Sequence, residues 1–305
     1  MPSVVLFGSQ QIAVDFLRYL TTQDDVEVAL VVSSEAEHDA LLGCESLLAL
    51  AKRLNIRATA PLRGAEATDS LSNLKPDILF SVYYRKVLPP EVLRVPPLGC
   101  VNIHPGMLPN YRGPTPTAWA ILNGANTFGL TLHYMDANID TGDILVQEVH
   151  DIDPDETGYE LHVRTMRIGA ELLRRNFRAI VNGTLSPTKQ EGPGSYFGKL
   201  KTGYTIDWQN RAEVIRNAVR VYASPYARVR TALHNKAVLV NHVTVLRNGH
   251  QYLLQGPGKI VDVLSGDALV VAAADGFLVL DEYELLPPMT ETERTVLLRK
   301  GNRLG

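Results

Sequence analysis

The chain has 305 residues, 45% of them hydrophobic and 21% charged, and a formal net charge of -3. That length suits two domains with sizeable cores. The weakly acidic balance speaks against a large nucleic-acid footprint, short of a local basic patch, and no apolar run approaches the roughly 18 residues a membrane helix needs.

Met1-Pro2-Ser3 leads into Val4-Val5-Leu6-Phe7 without a basic stretch, so no secretory leader is expected. Cys44 and Cys100 lie in apolar segments. They read as reduced core thiols of a cytoplasmic protein. Residues 4–7 form a short apolar run closed by Gly8, as a buried strand does. Ile12, Phe16, Leu17 and Leu20 then follow at helical spacing. Strand, glycine turn and helix open a Rossmann-like unit. Gly8-Ser9-Gln10-Gln11 is not a GxGxxG fingerprint, so a dinucleotide site is poorly supported. Its backbone N–H groups can still meet a substrate at the helix start.

Residues 26–32 read as a second strand. The stretch 33–45 follows, with Glu35, Glu37, Asp39 and Glu45 and neither Lys nor Arg. A helix over 46–54, a short helical piece at 71–74 and a third buried strand over 77–82 come next. Tyr83-Tyr84-Arg85-Lys86-Val87-Leu88-Pro89-Pro90 sits at that strand's carboxyl end. Two tyrosines and two cations there suit a ligand loop in an open α/β sheet; a solvated loop with one buried tyrosine fits the same residues.

Residues 99–146 concentrate the groups that can do chemistry. Asn102 and His104 stand two apart, which on a strand puts them on one face. Asp136, Asn138, Asp140 and Asp143 crowd a second loop behind the alternating stretch 130–135. A histidine, an amide and a carboxylate at neighbouring strand ends can hold a proton-transfer site. A His beside Pro, and an Asp in a Thr-Gly-Asp run, also serve as cap and turn residues. His104, His133, Asp136 and Asp140 do not follow a common zinc spacing, so no metal is expected.

Beyond this, residues 144–149 read as a strand and 157–181 as one long helix. Its arginines 164, 167, 174, 175 and 178 form a solvated face. Pro and Gly break the pattern over 186–204. A helix over 211–222 precedes strand-like runs at 237–246, 258–264, 268–273 and 276–285, divided by glycine turns. Short strands so spaced suggest a small open barrel.

Read as one string, Asn102-Ile103-His104, Gly106-Met107-Leu108-Pro109, Tyr111-Arg112-Gly113, the run 119–124 and Asp140-Thr141-Gly142-Asp143-Ile144 resemble the signature of the formyltetrahydrofolate-dependent formyltransferases. Gly106-Met107 departs from the usual Ser-Leu and is expected to loosen the turn. The resemblance implies a Rossmann-like, mostly parallel sheet with helices on both faces (1–188), a linker (189–206) and a small OB-like β-barrel domain (207–305). It implies 10-formyltetrahydrofolate as co-substrate, with Asn102, His104 and Asp140 catalytic. Arg85, Lys86, Val87 and Leu88, with Met135 and Asp136, would hold the folate. Gly8, Ser9, Gln10, Tyr83, Tyr84, Met107 and Tyr111 are the expected acceptor contacts.

Formyl transfer to an amine needs an oxyanion donor, for which Asn102 suits. It needs proton transfer, for which His104 suits, its reference pKa of about 6.5 lying near working pH. Asp140 would pair with charged His104 and take the amine's proton through water. Tyr83-Tyr84-Arg85 looks most like the sugar-amine branch, such as UDP-4-amino-4-deoxy-L-arabinose formyltransferase, and the acidic stretch 33–45 counts against the methionyl-tRNA branch. A nucleotide-linked amino sugar is therefore the first expectation for the acceptor. Initiator tRNA, a hydroxyornithine-like amine, or a non-catalytic binding role are the alternatives. A homodimer follows from family analogy, and no membrane partner is expected.

Overall fold

The protein is described from a computed structural model. It describes all residues except 35–41, 62–63, 223–224, 226–228, 235, 248, 250–251 and 253–254. Glu35, Glu37 and Asp39 of the acidic stretch thus lie outside the described residues; Glu45 pairs with Arg18 and Arg53.

In chain order the first half runs β1 (Ser3–Gly8), α1 (Gln10–Leu20), β2 (Glu27–Ser33), α2 (Leu47–Arg53), β3 (Ala58–Thr59), α3 (Gly64–Leu74), β4 (Ile78–Val82), α4 (Pro90–Leu93), β5 (Cys100–His104), α5 (Pro116–Leu122), β6 (Thr127–Tyr134), β7 (Ile144–Asp151) and α6 (Gly158–Val181). The second half runs β8 (Tyr204–Thr205), α7 (Ala212–Tyr222), β9 (Val229–Leu233), β10 (Lys236–Val245), β11 (Ile260–Val263), β12 (Leu269–Ala272), β13 (Phe277–Leu286) and α8 (Glu291–Leu297). The sequence reading found neither β3, α4, β8, β9 nor α8. Each is seven residues or fewer, too short for its own periodicity to show.

Two compact units divide the chain. The first comprises Met1–Pro116, Thr127–Asp151 and Val163–Gly198. Its sheet has the order β3-β2-β1-β4-β5-β6-β7. β2, β1, β4 and β5 pair in parallel, while β6 and β7 join antiparallel. The parallel strands are apolar runs because both their faces are covered: Val4, Val5, Leu6, Ile78, Leu79 and Phe80 are fully buried. α1 turns Ile12, Phe16 and Leu17 inward. Phe16 meets Phe80 edge-on at 5.1 Å and Phe177 of α6 at 6.1 Å. Gly169 lets α6 come this close, since a Cβ there would lie 2.7 Å from the Ile12 Cδ1 and 3.0 Å from the Ile103 Cδ1. Strand order turns back between β1 and β4, where open α/β sheets form their ligand crevice.

The second unit comprises Thr117–Asn126, Ile152–His162 and Lys199–Gly305. Sequence position alone would leave the first two pieces with the amino-terminal half. Arg220 on α7 donates to the carbonyls of Asp153 and Glu156, and Arg216 pairs with Asp155. The sheet here has the order β11-β12-β13-β10-β9-β8. The last residues close it into a barrel: Leu304 bridges Leu233 of β9, and Arg303 bridges Lys259 just before β11. Closure removes exposed strand edges. Asp275 caps α7, accepting from the Ala212 N–H at 2.8 Å.

Leu304 is 1% exposed at that closure. Leu304→Ala is expected to cost about 2–4 kcal/mol by cavity formation, and Lys300→Ala, on the exposed surface, under about 0.5 kcal/mol. Urea unfolding of both variants checks this.

Candidate active site

β5 and β6 build the site. β5 carries Asn102 and His104, and its antiparallel register sets Asn102 against His133 and His104 against Thr131. The loop after β6 returns Asp140 to this strand end, its φ of 56° held by the turn. Asp136, expected at the folate, serves that turn: its carboxylate accepts from the Asn138 N–H at 3.0 Å and the Thr141 hydroxyl at 2.6 Å.

The structure brings Asn102, His104 and Asp140 together. His104 is 4% exposed. Its Nε2 lies 2.7 Å from the Tyr111 carbonyl, which can only accept, so the ring hydrogen sits on Nε2. Its Nδ1 therefore faces the Asp140 Oδ2 at 3.5 Å with the exchangeable position. The Asp140 carboxylate accepts from the Gly113 N–H at 2.8 Å. Its other oxygen lies 3.7 Å from His133 Nε2. Both imidazoles stand beyond direct hydrogen-bond range of it, so the carboxylate can take a proton from a third group.

His133 was not singled out for catalysis by sequence, yet it lines the same site at 1% exposure. Its Nδ1 donates to the Tyr134 carbonyl at 2.7 Å, and its Nε2 faces the Asn102 Nδ2 at 3.1 Å. Burial holds its pKa well below the ordinary imidazole value, against the opposing pull of Asp140. The ring is thus neutral at neutral pH.

The stretch expected as a linker holds the site loops in place. Gln190 donates to the carbonyls of Asp140 and Gly142 at 2.9 and 2.8 Å and accepts from Arg112. The Ser195 hydroxyl accepts from the Tyr111 N–H at 3.0 Å, and Phe197 stacks on the Tyr111 ring at 5.3 Å. Tyr111 therefore works through its backbone and its stacked ring. The sequence marks this stretch only by the Pro and Gly breaks over 186–204.

Gly106 does not loosen its turn. A Cβ there would lie 2.5 Å from His104 Nε2 and 2.9 Å from the Tyr111 carbonyl oxygen. Glycine is what lets that histidine and that carbonyl meet. Met107 packs beside Gly129, whose Cβ would come 2.7 Å from the Met107 Cα.

The expected folate wall is mixed. Leu88 is buried in an apolar cluster with Phe7 and Cys100, against which Tyr84 and Met135 pack. Arg85, Lys86 and Val87 are exposed. An apolar wall beside an exposed loop suits one face of a flat ring system. At the β1–β4 crevice, Ser9 donates from its hydroxyl to the Tyr83 carbonyl at 2.5 Å. Gln10 is 6% exposed, and Gly8 is held by space alone, a Cβ there meeting Ala13 at 2.6 Å. The Tyr83 hydroxyl turns inward to Thr165 at 3.3 Å, and Tyr84 meets Phe7 edge-on at 5.1 Å. Both rings are partly spent on the core.

A family signature described as formyl transferase matches residues 2–176, and one described as formyl transferase, C-terminal domain, matches 200–290. The methionyl-tRNA formyltransferase of Alkaliphilus oremlandii is 33% identical over 84% of this chain and 83% of its own. That of Acetivibrio thermocellus is 32% identical over 92% and 91%. Among solved structures, an N-formyltransferase from Helicobacter canadensis, in complex with folinic acid and dTDP-3-aminofucose, aligns with a TM-score of 0.73 at 22% identity. It covers 92% of this chain and 99% of that one. WlaRD, a sugar 3N-formyl transferase, aligns with a TM-score of 0.73 at 22% identity, over 95% and 99%. The chain belongs to the formyltransferase family.

Gly106→Ala is expected to push the His104 ring off the Tyr111 carbonyl and cut turnover about tenfold or more, with an unchanged circular dichroism spectrum. The neutral His133 also gives a stability signature. Its folded pKa lies below its unfolded value, so the unfolded chain binds more protons and stability falls as pH drops below about 6.5. Melting temperatures from pH 7.5 to 4.5 should decline less steeply for His133→Gln than for the parent.

Proposed function

We propose that the chain transfers the formyl group of 10-formyltetrahydrofolate to the primary amine of a small acceptor, most concretely a nucleotide-linked amino sugar, in the cytoplasm. The observation that carries the chemistry is the Asp140 carboxylate, 3.5 Å from His104 Nδ1 and on the strand end that presents Asn102. Asn102 donates an amide N–H to the formyl oxygen as the amine attacks and that oxygen takes the negative charge. Asp140 accepts the proton the amine must lose, directly or through water. His104, with Nε2 held on the Tyr111 carbonyl, relays the proton through Nδ1 to the folate nitrogen as the carbon–nitrogen bond breaks. The products are the N-formyl amine and tetrahydrofolate. The wall of Leu88, Tyr84 and Met135 would seat the pterin face.

Two observations favour a small acceptor. Five of the exposed arginines carry carboxylates: Arg174 pairs with Glu171, Arg175 with Glu148, Arg178 with Asp25, Arg211 with Asp275 and Arg294 with Asp267. A phosphate backbone requires an unbalanced basic strip, and these surfaces are locally neutral. The first turn of α1 at the β1–β4 crevice holds no acidic residue, which suits the phosphates of a nucleotide at a helix start. A second reading, methionyl-tRNA as acceptor, is favoured by the sequence relatives, methionyl-tRNA formyltransferases 33% and 32% identical to this chain.

Asn102→Ala is expected to lower turnover by about 10²–10³, and His104→Ala or Asp140→Ala by about 10²–10⁴, each folding normally. A folded Asp140→Ala with parental turnover would end this assignment. Release of tetrahydrofolate with a panel of nucleotide-linked 3- and 4-amino sugars, hydroxyornithine and methionylated initiator tRNA identifies the acceptor. Turnover with tRNA alone would replace the first reading by the second.

A further inference from the structure

We propose that His133 is a positioning residue for formyl transfer: its neutral ring fixes the Asn102 side-chain amide so that nitrogen, not oxygen, serves the reacting carbonyl.

The argument is one of hydrogen-bond polarity. His133 sits on β6 directly across from Asn102 on β5. Its Nδ1 lies 2.7 Å from the Tyr134 carbonyl oxygen. A carbonyl can only accept, so Nδ1 carries a hydrogen, and in the neutral ring that burial favours Nε2 bears a lone pair. That lone pair stands 3.1 Å from the Asn102 amide, and only the amide NH₂ can satisfy it. Turning the amide over would set two acceptors, Oδ1 and Nε2, against each other at that distance. One Nδ2 hydrogen is therefore spent on His133, and the second remains for an oxygen in the site. An amide in the opposite sense would offer its own carbonyl to a developing oxyanion, which is repulsive.

The groups facing the ring pull in both directions, and burial prevails. Asp140 is 3.7 Å from Nε2 and would favour a charged ring, whereas His104 and burial at 1% exposure oppose it. Thr131, two residue pairs along β5–β6, is taken up by the Gly106 carbonyl and Gln147 and offers Asn102 no substitute.

The inference rests on Asn102 being the oxyanion donor, and the test separates the two. Steady-state kinetics would be measured on Asn102→Ala, His133→Phe, His133→Gln and the double variant Asn102→Ala/His133→Phe. Formyltetrahydrofolate and the acceptor that turns over would be the substrates. Phe keeps the ring's shape and removes the acceptor; Gln restores an acceptor oxygen. The expected result is a fall in kcat of about tenfold or more for His133→Phe, with KM for the folate changed less than threefold. His133→Gln should recover most of that loss. The double variant should be no slower than Asn102→Ala, because the two residues act through one hydrogen bond. Equal losses for Phe and Gln, or losses that multiply in the double variant, would overturn the role given to His133. A fully active Asn102→Ala would instead overturn the oxyanion assignment itself.

Discussion

Antiparallel pairing of β6 with β5 brings Asn102, His104, His133 and Asp140 into one place. The parallel part of the sheet delivers Asn102 and His104 to a strand end, as many open α/β sheets do with their functional residues. The antiparallel partner adds what the parallel sheet lacks. It lays His133 across from Asn102 and, through a tight return loop, sends Asp140 back to the same end. Side chains alternate along a strand, so a slip of one residue in this register would move His133 to the opposite face. The site is thus as exact as the ladder.

Around this ladder the polar groups sort by what each can donate. Tyr111 offers a carbonyl to His104, Tyr134 offers one to His133, and Gly113 offers an N–H to Asp140. These three backbone groups fix two histidine tautomers and one carboxylate orientation without a single charged partner. Backbone supports hold a geometry more firmly than side chains do, having fewer rotamers to lose. The stretch 188–198 supplies the rest of the support. Gln190 ties the Asp140 loop to Arg112, and Ser195 ties down Tyr111. Gly106 is the steric condition for the arrangement, because any side chain there would occupy the space where His104 meets its carbonyl.

Sequence spacing on its own left Asn102, His104 and Asp140 open between catalysis and turn chemistry; the ordered string of motifs decided in favour of catalysis. The geometry is of the kind that choice requires. Other assignments fared differently by residue. Tyr83 and Tyr84 looked like ligand-facing aromatics, but the Tyr83 hydroxyl reaches Thr165 and the Tyr84 ring packs on Phe7. An aromatic after a strand has the same local pattern whether it faces a ligand or a core. Asp136, expected at the folate, has its oxygen bonded within its own loop.

Apolar runs and helical spacing by themselves determined the parallel core, the long helix α6 and the barrel-like carboxyl-terminal half, because burial on one or both faces writes itself into local periodicity. The strand end that carries the candidate site was legible because Asn102 and His104 stand two apart in sequence. Tertiary structure alone decided the place of His133 beside Asn102, thirty-one residues away, and of Gln190 and Ser195 at the site loops. It alone decided that residues 117–126 and 152–162 group with the carboxyl-terminal half. The physical reason is the same in each case. Hydrogen-bond partners are chosen by register and loop closure between distant segments, and neither leaves a periodic trace in the chain itself.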